Sequence, residues 1–154
     1  MLVLMFQAGS TCLALDVRRI HEVVPLVQLQ RAESAPAWLA GVFIYRGRVI
    51  PVIDLHRLIG AGECLPNLST RLILVPHRIG GQERLVGLLA SRVADLRDIE
   101  PPAQAATPGA TRDHPDFGAV LVNGNDIIHL VEPDRLLPEA YASQLALIHR
   151  ELPA

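Results

Sequence analysis

The stretch from Gly41 to Leu55 constrains this chain more than any other. Two runs rich in β-branched and aromatic residues flank Arg46-Gly47-Arg48. Such runs favour paired strands, and Gly47 supplies the positive φ that a tight hairpin turn needs. Pro51 brings no N–H to a ladder, so the second strand is expected to lie at an edge, or to bulge, near that point. The hairpin carries Arg46 to its tip, where a cation between two apolar strands is placed to meet a partner.

The same pattern recurs along the chain. Ala8-Gly9-Ser10 separates Leu2–Gln7 from Cys12–Leu15, Ile79 to Gln82 separates Arg71–Val75 from Leu85–Leu89, and Asn123-Gly124-Asn125 separates Ala119–Val122 from Ile127–Val131. Many short strands between frequent turns predict small barrels or a sandwich. Helices are few. Asp16 is placed to cap one reaching Val24, with Val17, Ile20 and Val24 at helical spacing. Arg92 to Leu96 is a shorter candidate, and His56 to Ile59 reads as a single turn. A last helix is expected from about Pro138 to Leu152, with Tyr141, Leu145, Ile148 and Leu152 forming the stripe that docks. Residues 101–114 lack apolar bulk and period, and read as a mobile loop.

A weak internal repeat accompanies the turns. Leu13-Ala14-Leu15, followed by Arg19-Ile20 and Glu22-Val23, matches Val86-Gly87-Leu88, followed by Arg92-Val93 and Asp95-Leu96. Val52-Ile53-Asp54 with Arg57-Leu58-Ile59 matches Leu130-Val131-Glu132 with Arg135-Leu136-Leu137. Order and offset are nearly preserved, which predicts two similar β halves within one domain spanning 1–154.

Composition removes several function classes. The 154 residues are 50% hydrophobic but only 4% aromatic, so a large aliphatic core is available. A net charge of −2 and few aromatics give no basis for nucleic-acid binding. All 14 basic residues are Arg, which excludes Schiff-base and P-loop lysine chemistry. Cys12 and Cys64 show no metal spacing and suit a reducing cytosol. The apolar N-terminus is too short to span a membrane and lacks the basic flank of a signal peptide. Direct membrane insertion is not expected.

No reactive constellation stands out. The chain contains no G-x-S-x-G, no HExxH and no Gly-rich phosphate loop. Asp54-x-His56 and His114-Pro115-Asp116 are fragments of metal sites without a visible third or fourth ligand, so neither a metal nor another cofactor is expected. His129 reads as a strand residue. Trp38 reads as a core or lid residue. A chain of hairpins with apolar excess and no catalytic groups suits binding better than catalysis.

Five segments in order resemble the CheW-like family, the coupling proteins of bacterial chemotaxis arrays. They are Leu2 to Phe6 with Asp16, Ile20, Glu22 and Val23; Ala35 to Gly41; the Arg46-Gly47 hairpin through Leu55; Leu85 to Val93; and Asn123 to Leu130 through Leu137. The chain departs from the pattern at Ile44-Tyr45, where the family commonly has Asn-Leu, at Ser91, where it has Asp, and at Val131 to Asp134. The resemblance implies a mainly β fold, with two small five-stranded SH3-like barrels sharing a hydrophobic core, few short helices and a C-terminal helix. It implies a cytoplasmic scaffold recruited to membrane-associated receptor arrays, without catalytic activity. Its partners would be a chemoreceptor cytoplasmic domain and the regulatory domain of a CheA-type histidine kinase, in a flagellar or a non-motility pathway.

Residue by residue, the resemblance assigns partner binding to Arg46 and neighbouring Tyr45, to Ile20 and Glu22, and to the apolar pair Leu85 and Val86. Each has a structural alternative: Ile20 as core, Glu22 as a solvated charge, Arg46 as a solubilising hairpin charge. Edge strands leave self-association open. The competing reading is a small β-barrel enzyme or ligand carrier using the cleft between the halves, with His56, Trp38 or His129.

Overall fold

The structure is a computed structural model that describes residues 1–31, 34–79, 81–101 and 115–152. Nine strands are present among them: β1 Leu2–Ala8, β2 Thr11–Asp16, β3 Glu22–Pro25, β4 Leu39–Tyr45, β5 Arg48–Asp54, β6 Arg71–Ile79, β7 Gln82–Asp98, β8 Ala119–Asn123 and β9 Asp126–Leu130. Three helices accompany them: α1 Leu55–Leu58, α2 Pro133–Leu136 and α3 Glu139–Glu151.

The long strand β7 organises the molecule. Its first half pairs with β6 from Ile79↔Gln82 to Arg71↔Ala90, and runs parallel to β5. Its second half pairs with β1 from Gln7↔Ser91 to Leu2↔Asp98. Strand β7 therefore belongs to two five-stranded sheets, one of β3, β4, β5, β6 and β7, the other of β1, β2, β7, β8 and β9. This is the mainly β, double-barrel architecture expected from the sequence. The changeover is a bulge: the register slips between Met5 and Gln7, and Arg92 takes a left-handed φ of +50°. An extra residue reverses the inside–outside alternation. Beyond the bulge Val93 is buried and Leu96 exposed, so this i, i+3 apolar pair lies on opposite faces, as strand residues do and helix residues do not. The short helix expected over Arg92–Leu96 is thus a bulged strand.

The helix expected over Asp16–Val24 is also corrected. Asp16 does cap a turn, accepting from the Arg18 N–H at 3.0 Å, but the turn is a 3-10 segment that ends at Arg19. Pairing with β6, from Glu22↔Leu74 to Pro25↔Arg71, then draws the chain into β3. β-Branched Val23 and Val24 suit that ladder better than a helix.

The internal repeat appears as equivalent pairings. Val52 pairs in parallel with Gly87, and Leu130 pairs in parallel with Ala14. These are matching positions of the two repeated segments. Each parallel pair leads into a one-turn helix, α1 after Asp54 and α2 after Glu132, and each helix buries its first and last residues, Leu55 and Leu58 or Pro133 and Leu136. At Pro51 the chain pairs only with Val42 of β4, and β7 joins at Val52, so the missing N–H leaves no ladder bond unmade.

A single aliphatic core joins the halves. Leu4, Phe6, Leu13 and Leu15 from one sheet meet Ile53, Ile73, Val75 and Leu88 from the other. The far faces bury their own clusters: Phe43, Ile50, Val52, Leu72 and Leu74 on one side, Val3, Met5, Ala14 and Ile128 on the other. Helix α3 docks through Leu145, and Tyr141 stacks on Trp38 with ring centroids 5.2 Å apart. The Trp38 indole N–H donates to Gln144 Oε1 at 3.3 Å. Arg84 Nη1 donates to the His149 carbonyl at 3.1 Å.

Candidate functional site

The β4–β5 turn spans two residues, with φ of +48° at Arg46 and +79° at Gly47. Positive φ at both central positions is the primed turn that matches strand twist. It places Tyr45 and Arg46 opposite Glu22, the first residue of β3. Strands β3 and β4 share no ladder, so side chains bridge them. Glu22 Oε1 accepts from the Tyr45 hydroxyl at 2.7 Å and from Arg46 Nη2 at 3.3 Å. The Arg46 guanidinium lies 5.4 Å from the Tyr45 ring centroid, and His21 meets that ring edge-on at 6.0 Å. The hydrogen bond to the Glu22 carboxylate raises the Tyr45 hydroxyl above its ordinary pKa, because ionisation would set two anions together.

An exposed ion pair contributes little to stability. This cluster serves presentation instead. Arg46 keeps 76% of its side chain exposed while Glu22 and Tyr45 fix its direction. Beside it runs an apolar groove lined by Val24, Val27, Val42, Phe43 and Ile44, and Ile44 is 73% exposed.

The other expected site residues separate from this cluster. Ile20 is half-buried against the shared core. Leu85 is half-buried against the cluster of Phe43 and Leu72. Val86, the other member of the apolar pair assigned to partner binding, is fully buried in the shared core. Neighbours on a strand face opposite ways, so Leu85 and Val86 cannot share one surface. Val49 lines both the cleft beside Leu85 and the groove beside Arg46.

The groups of the enzyme reading are placed as follows. Trp38 is buried beneath Tyr141. His129 sits in β9, opposite Leu13 and Val120. Asp116 accepts from the Gly118 N–H at 2.8 Å and pairs with Arg135 at 3.5 Å, while its expected companion His114 lies outside the described residues. His56 has company that sequence reasoning missed. Buried Cys64, ten positions beyond Asp54, joins Asp54 and His56, and their ligand-type atoms all lie within 4.8 Å of one another. The Asp54 carboxylate accepts from the N–H groups of His56, Arg57 and Cys64. Burial and the nearby carboxylates push the Cys64 thiol up to about 11. The sequence signal was the Asp-x-His pair; a third ligand beyond a loop has no spacing rule.

With this geometry in view, a family model described as CheW-like domain matches residues 2–140. The chain belongs to the CheW-like family. It is 27% identical to Chemotaxis protein CheW of Rhizobium meliloti over 86% of this chain and 84% of that one. It is 30% identical to Protein FrzA of Myxococcus xanthus, over 88% and 84% respectively. The crystal structure of scaffolding protein TtCheW from Thermoanaerobacter tengcongensis superposes with a TM-score of 0.72 at 25% identity, covering 86% of this chain and 84% of that one. Among the described residues no helix is long and apolar enough to cross a membrane.

Proposed function

We propose that this chain is a non-catalytic coupling adaptor of a chemosensory array, holding the cytoplasmic tip of a chemoreceptor and the regulatory domain of a CheA-type histidine kinase. Its attachment to a membrane would then be indirect, through the receptor. The observation that carries the reading is the Glu22–Tyr45–Arg46 cluster, which projects a cation over an apolar groove at a hairpin tip. An aligned guanidinium beside apolar surface is the kind of anchor that dominates binding energy. Arg46 and Ile44 would contact the receptor tip, with Tyr45 and Glu22 holding Arg46 in place. Half-buried Leu85 and Ile20 would lie at the margin.

Co-purification with the receptor tip and kinase of the same genome tests this, comparing wild type with Arg46→Glu. The substitution sets two carboxylates against each other and should weaken the ternary complex at least about tenfold, with the circular dichroism spectrum unchanged. A ternary complex indifferent to the substitution removes the hairpin from the interface. A folded wild-type protein that binds neither partner overturns the coupling role.

A further inference from the structure

Strand β5 ends at Asp54, α1 begins at Leu55, and the loop after α1 returns Cys64 to the same place. Three ligand types, carboxylate, imidazole and thiol, converge there.

His56 turns Nδ1 toward the cluster, and the hydrogen bonds around Ser91 favour the tautomer that leaves this nitrogen unprotonated. The Ser91 hydroxyl donates to the Gln7 carbonyl at 3.1 Å. Its oxygen is left to accept, and His56 Nε2 stands 3.4 Å away. With Nε2 carrying the proton, a neutral ring presents a bare lone pair at Nδ1. That atom is buried without a hydrogen-bond partner and faces Asp54 Oδ1 at 4.0 Å. A lone pair turned toward a carboxylate away from water is repulsive unless a cation lies between them.

A proton on Nδ1 answers this poorly, since 4.0 Å is beyond hydrogen-bond length. A metal ion answers it better and explains the buried thiol as well. We propose that Asp54, His56 and Cys64 bind one divalent transition-metal ion of the zinc type.

The donor set of oxygen, nitrogen and sulfur suits zinc, whose tetrahedral sites hold such atoms roughly 3.3–3.8 Å apart. Side chains within 4.8 Å need a closure of about 1 Å, which the loop carrying Cys64 can supply. The outer contacts already exist. His56 Nε2 has Ser91, and the Asp54 carboxylate is oriented by three backbone N–H groups. Such contacts fix ligand direction and tautomer. A cleft bordered by Arg57, Glu63 and Leu89 gives access, and leaves room for water as a fourth ligand. Three protein ligands with one open position describe a staple that pins the loop after α1 to the end of β5.

Cobalt tests this on the full chain after chelator treatment, because a thiolate bound to Co²⁺ gives a charge-transfer band in the near ultraviolet. About one Co²⁺ per chain should bind with that band, and Zn²⁺ should displace it. Cys64→Ser should abolish the band, and Cys12→Ser should leave it intact. His56→Ala should weaken binding at least tenfold, and it keeps the test open should Cys64→Ser fail to fold. Ser91→Ala, which removes the contact to His56 Nε2 but leaves all three ligands in place, should weaken it about tenfold. Absence of the band, or its loss with Cys12→Ser and not with Cys64→Ser, overturns the site. So does Co²⁺ binding unmoved by His56→Ala.

Discussion

Glu22 and Tyr45 lie on strands that share no ladder, yet the Tyr45 hydroxyl donates to Glu22 Oε1 at 2.7 Å and closes one wall of the apolar groove. The carboxylate raises the phenol pKa, and Arg46 opposes it with a smaller effect. Glu22→Gln should therefore lower the Tyr45 pKa toward that of a free tyrosine. Arg46→Ala should raise it further. Spectrophotometric titration checks both, with Tyr45→Phe identifying the transition against Tyr141. Equal titration curves in all three proteins would show that the bridge does not persist in solution.

Leu85 and Val86 are neighbours with opposite tasks. Val86 is fully buried in the shared core, so Val86→Ala removes core contacts and leaves a small cavity. The cost should be about 2 kcal/mol. Leu85 is half-buried, and Leu85→Ala should cost about 1 kcal/mol while weakening partner binding more than Val86→Ala does. Urea unfolding midpoints and binding isotherms measured on the same samples separate the two effects.

The strands were legible because alternation and turn chemistry are local. The Arg46-Gly47 and Asn123 to Asn125 turns, the two similar halves foreshadowed by the repeat, and the single turn after Asp54 were all readable from sequence. Two features were hidden by distance. Residues Glu22–Pro25 become strand only because β6 lies ready to pair with them, fifty positions downstream. The bulge at Arg92 reverses the alternation of β7, and the partner that holds Asp95 to Asp98 as strand is β1, at the other end of the sequence. The cluster of Asp54, His56 and Cys64 was half visible for the same reason, since its third member arrives across a loop.

Gly118 gives a sharp stability test. It holds a φ of +89°, and a Cβ built there would collide with the Leu130 carbonyl, a backbone group that cannot swing away. Gly118→Ala should cost more than about 3 kcal/mol, lowering Tm by roughly 6–12 °C. Gly124 has a φ of +63° with open space around it, so Gly124→Ala should carry only the left-handed penalty of about 1 kcal/mol. A larger loss at Gly124 than at Gly118 would contradict the packing of the strand entry at Ala119 against β9.

The docking of α3 should depend on pH through its buried histidines. His149 is 6% exposed and His77, on β6, is 4% exposed; His149 Nε2 and both His77 nitrogens have no hydrogen-bond partner. Burial, with the Arg84 guanidinium and His77 nearby, pushes His149 down to about 4 from 6.5. Burial also lowers His77, though Asp134 on α2 pulls it the other way. A folded-state pKa below the unfolded value means stability is full above pH 6.5 and falls as the pH drops toward 4. For His149 the loss over that window should reach up to about 3 kcal/mol. His149→Gln cannot become charged, so its unfolding free energy should decline less between about pH 7.5 and about pH 4.5. Tyr141 stacks on the chain's one tryptophan, Trp38, so tryptophan fluorescence should report the loosening of α3 directly. Parallel pH profiles for wild type and His149→Gln would show that the helix is held without regard to the charge on its histidine.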